Sequence, residues 1–379
     1  MSELFHYFQT HEKEMVEDLL TLVAAESPSE EKKLVDACGD VLASLFEKRL
    51  GVKEERIPQE DRGDHRRFVV GNGVVTRTLI LGHFDTVWDK GRLPIHEEDG
   101  KLFGPGVLDM KSGIILSMWA VKALQEADKL KNQTVVFLCT SDEEVGSQTS
   151  RPLIEKEAKK SDVVLVTEPP EAKTGDLKTA RKGVGIYNVK VKGVSSHAGN
   201  HHEEGVSAIR ELAQQIVTLE QQTDYAQGTT VNVGVIQGGS RRNVVPDEAE
   251  ALVDFRVTTA EEADKMIQVF ESLEPTTAHA ELIVEGELNR PPMERTEKTA
   301  YLFSLAKVSA DEIGMNLSET TVGGGSDGNF TAALGIPTLD GLGCLGEGPH
   351  AEHEHIVREE LPKRAALFAH LVEKLEDYK

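Results

Sequence analysis

Imidazole and carboxylate side chains recur in this chain directly after short apolar runs. His83 follows LILG, Glu143 and Glu144 follow VVFLCTS, and Glu168 follows VVLVT. Asp109 lies in GPGVLDMKSG, just ahead of a helix predicted from near Lys111, and more histidines crowd the tail GEGPHAEHEHI. In open α/β sheets the loops beyond the carboxyl ends of the strands converge, so groups far apart in sequence meet there. Gathered in one crevice, imidazole and carboxylates suit hard or borderline divalent ions, and Zn2+ takes such ligands while leaving a position open for water. A carboxylate that bridges two ions about 3.5 to 4 Å apart lets both polarise one water and one carbonyl, and Asp109 is the natural bridge. Asp85, in the segment His83-Phe84-Asp85, can accept the imidazole's other N–H and fix its tautomer. Each feature has an ordinary alternative: a polar loop for His-x-Asp, solvated surface for adjacent glutamates, a helix cap for a lone aspartate. Their joint placement at strand ends is what points to a metal centre.

The elements that must position these groups are legible in the same pattern. Residues 12 to 50 carry helical periodicity, interrupted by the turn Ser27-Pro28-Ser29. Apolar runs at 78–81, 134–138 and 163–166 read as strands, with helices over about 112 to 127 and 151 to 160 between them. These runs are continuous rather than alternating, so both strand faces must be covered. The predicted class is α/β, a mixed and largely parallel sheet sandwiched by helices. From about residue 183 the texture changes to GIYNVKVKG, a helix over about 204 to 221, TTVNVGVIQGG, AEALVDFRV, a helix over about 260 to 272, and AELIVEGE. That order, strand-helix-strand-strand-helix-strand, predicts an inserted α+β ferredoxin-like domain. Beyond Pro291-Pro292 the chain returns through a helix over about 297 to 313, the loop GGGSDGNF, a strand near 336–339 and a last helix over about 359 to 377. The predicted division is 1–181 and 293–379 for the catalytic domain, and 182–292 for the insert.

Composition narrows the partners. With 379 residues, 39% of them hydrophobic, the chain has material for two cores. A formal net charge of −23 disfavours nucleic acid and anionic membrane surfaces, leaving small molecules or peptides. Three widely separated cysteines, Cys38, Cys139 and Cys344, exclude a disulfide framework and any Cys-x-x-Cys site, so oxygen and imidazole must bind any metal. The first twenty residues mix charge into every turn, and no apolar run reaches the length of a membrane span. A cytoplasmic protein is expected.

Taken together, LILGHFDTV, LFGPGVLDMKSG, TSDEEVGS, VTEPP, VKVKGVSSHAG, GGSRRNVVPDEAEALVDFRV, NRPPME, GGGSDGNF and the HAEHE tail span most of the chain. In that order they resemble the M20 metallopeptidases, and within them the glutamate carboxypeptidase-like branch. The resemblance implies a di-zinc exopeptidase-like fold holding two Zn2+ ions, for which Co2+ or Mn2+ can substitute. It makes His83 and Glu168 ligands of one ion, Glu144 and His350 ligands of the other, Asp109 the bridge, and Glu143 the general base. It also implies a cis peptide at Asp109-Met110. Among the tail histidines, the family spacing of a histidine four residues before a glutamate fits His350 with Glu354; His353 is the competitor, and the remaining tail histidine reads as an exposed loop residue, as do His201 and His202.

For the insert, the resemblance implies a lid and dimerisation domain. His197 in SSHAG would reach an active site across a homodimer and stabilise the tetrahedral intermediate, Arg256 would grip a substrate α-carboxylate, and Asn243 would hold the carbonyl side. Gly324 and Gly325 would line the pocket with backbone groups. The implied reaction is amide hydrolysis, with Glu143 taking a proton from the attacking water and passing it to the leaving amine. A carboxypeptidase releasing a C-terminal amino acid such as glutamate, from a peptide or N-acyl conjugate, is the first expectation. An N-acyl amino acid deacylase of the acetylornithine deacetylase type, a dipeptidase, and a catalytically inert metal-binding module are the alternatives.

Overall fold

The computed structural model describes residues 2–378. The chain forms two compact units: Met1–Ala180 with Arg295–Thr321 and Ser326–Lys379, and Arg181–Glu294 with Val322–Gly325.

In the first unit the three apolar runs form the strands Thr76–His83, Gln133–Thr140 and Val163–Val166. Thr76–His83 pairs in parallel with both of the others, and Thr338–Leu339 adds in parallel beyond Val163–Val166. On the other side His65–Val70 pairs antiparallel with Gln133–Thr140, and Glu55–Ile57 closes that edge. The result is a six-stranded sheet. Alternate residues of one strand enter different cores, which explains the unbroken apolarity. Ile80, Phe137 and Leu165 join a large cluster built from the helices Glu3–Ala24, Lys32–Leu50, Ser112–Glu126 and Glu360–Lys374. Leu79, Leu81, Val136, Leu138, Val164 and Val166 join a smaller cluster with Ile154 and Phe330.

Twelve of the fifteen residues of Ser112–Glu126 are buried, as expected of a helix apolar on all sides. It enters this position at close quarters. A Cβ at Gly113 would stand 1.9 Å from the carbonyl oxygen of Thr167, so only glycine lets the first turn rest on the strand-end loop that carries Glu168.

The second unit has the predicted element order: Gly183–Lys192, the helix Ala208–Glu220, Thr230–Gly238, Glu248–Val257, the helix Ala260–Glu271 and Glu281–Arg290. Its four strands are antiparallel, with the first and third central, the second and fourth at the edges. Burial alternates along the central strands. Tyr187, Phe255 and Phe270 stack in its core, Tyr187 on Phe270 at 3.9 Å between ring centroids.

Three features differ from expectation. The first helix begins at Glu3, ahead of the periodicity read from residue 12. His65–Val70 is a sheet strand although its sequence, HRRFVV, opens on three basic residues. A small antiparallel sheet of Gly346–Glu347, His355–Val357, Lys101–Phe103 and His96–Glu98 also went unpredicted, because its strands are too short and polar to show a period. That sheet corrects the reading of His355, which is buried rather than exposed and lies against Phe103 at 5.1 Å. Among the described residues no helix is long and apolar enough to cross a membrane.

Replacing Gly113 by alanine should destabilise the protein by about 1–3 kcal/mol through overpacking. Urea denaturation of the metal-free variant measures this; a midpoint equal to that of wild type would show that the helix shifts at no cost.

Candidate metal centre

Strand ends deliver most of the site. His83 is the last residue of Thr76–His83, Glu143 and Glu144 open the single turn Glu143–Val145 after Gln133–Thr140, and Glu168 follows Val163–Val166 closely. Asp109 comes from the irregular turn Val107–Lys111 that leads into Ser112–Glu126, and its peptide to Met110 is cis. His350 sits in the connection between two strands of the small sheet, in the left-handed region at φ +60°.

The two oxygens of Asp109 face different partners. Its Oδ1 lies 3.2 Å from His83 Nε2, which is 3.5 Å from Glu168 Oε1. Its Oδ2 lies 3.3 Å from His350 Nε2, which is 3.0 Å from Glu144 Oε2. One imidazole and one carboxylate thus attend each oxygen of a shared carboxylate, which is the donor arrangement that two divalent ions require. Ligand atoms of His83, Asp109 and Glu144 all lie within 4.8 Å of one another. The residues fit a pair of ions in number and in chemistry.

Electrostatics point the same way. Burial opposes ionisation of Asp109, but hydrogen bonds from His350 and His83 outweigh it and hold the group well below the usual carboxylate range. Burial pushes Glu144 up to about 8, with the His350 hydrogen bond opposing and the charges of Asp109 and Glu143 reinforcing the rise. His350 is raised to about 10 by its hydrogen bonds to Asp109 and Glu144. Burial works against a charged His83, yet Asp109, Asp85 and Glu168 lift it well above the ordinary histidine value. Packed carboxylates hold protons on their neighbours for want of other positive charge, and divalent cations can take the place of those protons.

His83 Nδ1 lies 3.1 Å from the backbone carbonyl of Asp85 and 3.5 Å from its Oδ1, so the residue faces the ring with both groups, the carbonyl closer. The Asp85 carboxylate also accepts from Ser29 Oγ at 2.7 Å and from the backbone N–H groups of Glu143 and Glu144, both at 3.3 Å. It fixes the turn that carries the candidate base. Glu354 performs the same service for Asp109: buried at 1% exposure, it accepts from Gly106 N, Leu108 N and Asp109 N and from Trp88 Nε1 at 2.7 Å. Nothing in the sequence marks Trp88. Ser29 was visible only as turn chemistry, and Glu354 only by its spacing from His350.

His353 is exposed and His350 is the tail histidine beside Asp109 and Glu144. His201 and His202 are exposed, with His201 Nδ1 3.3 Å from Glu204. The remaining candidates belong to the second unit. His197 Nδ1 accepts from Gly199 N and Asn200 N at 3.1 Å, and Asn243 O accepts from Ala198 N at 3.1 Å, so the His197 and Asn243 loops are laced together. Arg256 is held by Asp254 through two bonds of 2.8 Å, and its Nη1 reaches Gly323 O at 3.4 Å. Arg181 Nη1 donates to the carbonyls of Gly324 and Gly325 at 3.1 and 3.3 Å.

A largely parallel sheet with this donor set at the carboxyl ends of its strands defines a metal-binding protein of the α/β class. Residues 79–374 match the model of peptidase family M20/M25/M40, and the chain belongs to that family. It is 29% identical to carboxypeptidase G2 of Pseudomonas sp. (strain RS-16) over 97% of this chain and 91% of that protein. It is 30% identical to succinyl-diaminopimelate desuccinylase of Dechloromonas aromatica (strain RCB) over 78% of this chain and 83% of that one. Its fold matches that of Bacillus subtilis YXEP, described as a dinuclear metal binding peptidase, with a TM-score of 0.70, 15% identity, and 98% and 100% of the two chains covered. The chain is therefore an enzyme, a metallopeptidase of the M20 type.

Hydrogen bonds to Asp109 and Glu144 raise His350 to about 10, and burial raises Glu144 to about 8, so both favour their protonated forms at pH 7 in the metal-free site, and an ion bound there would displace protons. Metal binding should release protons there, and affinity should rise as pH climbs toward 8 and beyond. Calorimetric titration with Zn2+ in buffers of different ionisation enthalpy tests this; identical heats in all buffers would contradict it.

Proposed function

We propose that the protein is a two-metal carboxypeptidase that releases a C-terminal amino acid, glutamate among the candidates, from a peptide or N-acyl conjugate. The observation that carries this reading is the division of Asp109 between two imidazole-carboxylate pairs. His83 and Glu168 would hold one ion and Glu144 and His350 the other, with Asp109 between them. Zn2+ suits the donor set, and Co2+ and Mn2+ accept it too. Two such ions supply positive charge that polarises the scissile carbonyl and the attacking water.

The chain's own groups manage the protons and the substrate. Glu143, its backbone tied to Asp85, takes a proton from the attacking water and returns it to the leaving amine. His197 and Asn243 support the carbonyl oxygen as charge develops on it. Arg256 takes the free α-carboxylate, exchanging its bidentate bonds with Asp254 for equivalent ones with substrate. Backbone groups at Gly324 and Gly325 complete the binding surface. The second unit serves as lid and as the contact of a homodimer.

A second reading, deacylation of N-acyl amino acids, is favoured by the similarity to a desuccinylase. Both readings use the same centre and the same base.

Glu143→Gln should lower kcat by about 10²- to 10⁴-fold while two metal equivalents remain bound; unaltered turnover would overturn the role of the base. On wild type, a panel of peptides ending in glutamate against N-acetyl and N-succinyl amino acids separates the two readings, and turnover of the acyl compounds alone would sink the first. Arg256→Ala should raise KM for substrates with a free α-carboxylate and leave their α-amides unaffected. Equal effects on both would remove Arg256 from carboxylate binding.

A further inference from the structure

Arg364, on the helix Glu360–Lys374, is a buried cation in the first unit that no carboxylate meets. It is 2% exposed, and among the described residues no ion pair includes it. Its guanidinium donates only to main-chain carbonyls: Nε to Gly343 O at 2.9 Å, Nη1 to Gly175 O at 3.0 Å and Nη2 to Gly341 O at 2.7 Å. Burial lowers its value to about 10, which still leaves it charged at neutral pH. Removing a cation from water without a counter-ion costs several kcal/mol, and here the guanidinium offsets that cost only by holding main-chain carbonyls of three separate positions at once.

The carbonyls it holds belong to loops that back a metal ligand. Gly343 N donates to the carbonyl of Glu168 at 2.8 Å, and Leu342 N donates to Val166 O at 3.2 Å. A Cβ at Gly343 would lie 2.6 Å from Thr167 O and 2.8 Å from Glu168 O, so this peptide presses directly on the Thr167–Glu168 backbone. Gly175 lies in the loop leaving Glu168, where its N–H donates to Glu171 O at 2.8 Å. On another side Gly113 closes against Thr167. Arg364 thus grips the loop behind Glu168 and the loop beyond it with one rigid fork, a geometry that lysine cannot reproduce.

We propose that Arg364 is a positioning residue for Glu168, acting through the Gly343 peptide, and that it sets the affinity of the half of the metal centre formed by His83, Asp109 and Glu168. This rests on the two-ion reading above. Outer partners that orient a ligand typically change metal affinity by about 10- to 100-fold when removed.

The test titrates metal-free wild type, Arg364→Lys, Arg364→Gln, Glu168→Gln and Glu144→Gln with Zn2+ against a chromophoric chelator, with near-ultraviolet circular dichroism and thermal melting on the same samples. Glu168→Gln and Glu144→Gln identify which binding step belongs to which half. Expected is a loss of about 10- to 100-fold in the Glu168 step for Arg364→Lys, with the Glu144 step within about threefold of wild type. Adding Arg364→Lys to Glu168→Gln should weaken binding no further, since the two act as one unit. The proposal is overturned if a folded Arg364 variant binds both ions as wild type does, or loses both steps equally. It is equally overturned if neither Arg364 variant folds, which would make the residue purely structural. If Glu168→Gln itself binds both ions normally, the ligand assignment has failed, an outcome distinct from failure of Arg364 alone.

Discussion

The carboxylate of Asp109 is the constraint on which the rest of the first unit depends. Its oxygens stand 3.2 and 3.3 Å from two different imidazoles, each attended by a further glutamate. Such crowding of acids is unfavourable without positive charge among them. In the metal-free site the same crowding favours the protonated forms of Glu144 and His350. A centre built for divalent ions looks like this when only protons are available, because every ligand that attracts a cation also attracts a proton.

Holding that carboxylate in place falls to main chain more than to side chains. Glu354 gathers the N–H groups of Gly106, Leu108 and Asp109, so the turn bearing Asp109 is clamped by a buried acid from the far end of the sequence. Asp85 gathers those of Glu143 and Glu144 and is itself secured by Ser29. Arg364 gathers carbonyls behind Glu168. In each case a buried charge satisfies backbone groups that a loop would otherwise leave unpaired, and the loop gains a single conformation. Three such clamps surround the carboxylate cluster, with glycine at 113 and 343 permitting close approaches of the backbone.

The second unit obeys a different logic. Its sheet buries one face under two helices, and its chemistry lies in loops and at strand ends rather than in a crowded centre. Arg256 is already paired with Asp254 on the same strand. That pair keeps a half-buried guanidinium satisfied and aligned.

Much of this was legible in sequence for stated physical reasons. Short continuous apolar runs such as VVFLCT, bounded by polar and turn residues, point to strands covered on both faces, and the alternation in VKVK and ALVDFRV points to a sheet with one buried side. The parallel core, the ferredoxin-like order and the ligands at strand ends follow from periodicity and chemistry local to each segment. What sequence left open was decided by contacts between segments far apart. HRRFVV is a strand because Arg66 and Arg67 find acids elsewhere, at Asp40, Glu54, Glu55 and Glu157. His355 is buried because a four-stranded sheet with no local signature closes over it. The turn to which Asp85 commits its carboxylate, the acid that clamps Asp109 and the arginine behind Glu168 are likewise pairings across tens to hundreds of residues. A sequence states which donors and acceptors a chain carries; only packing the chain decides which of them are close enough to bond.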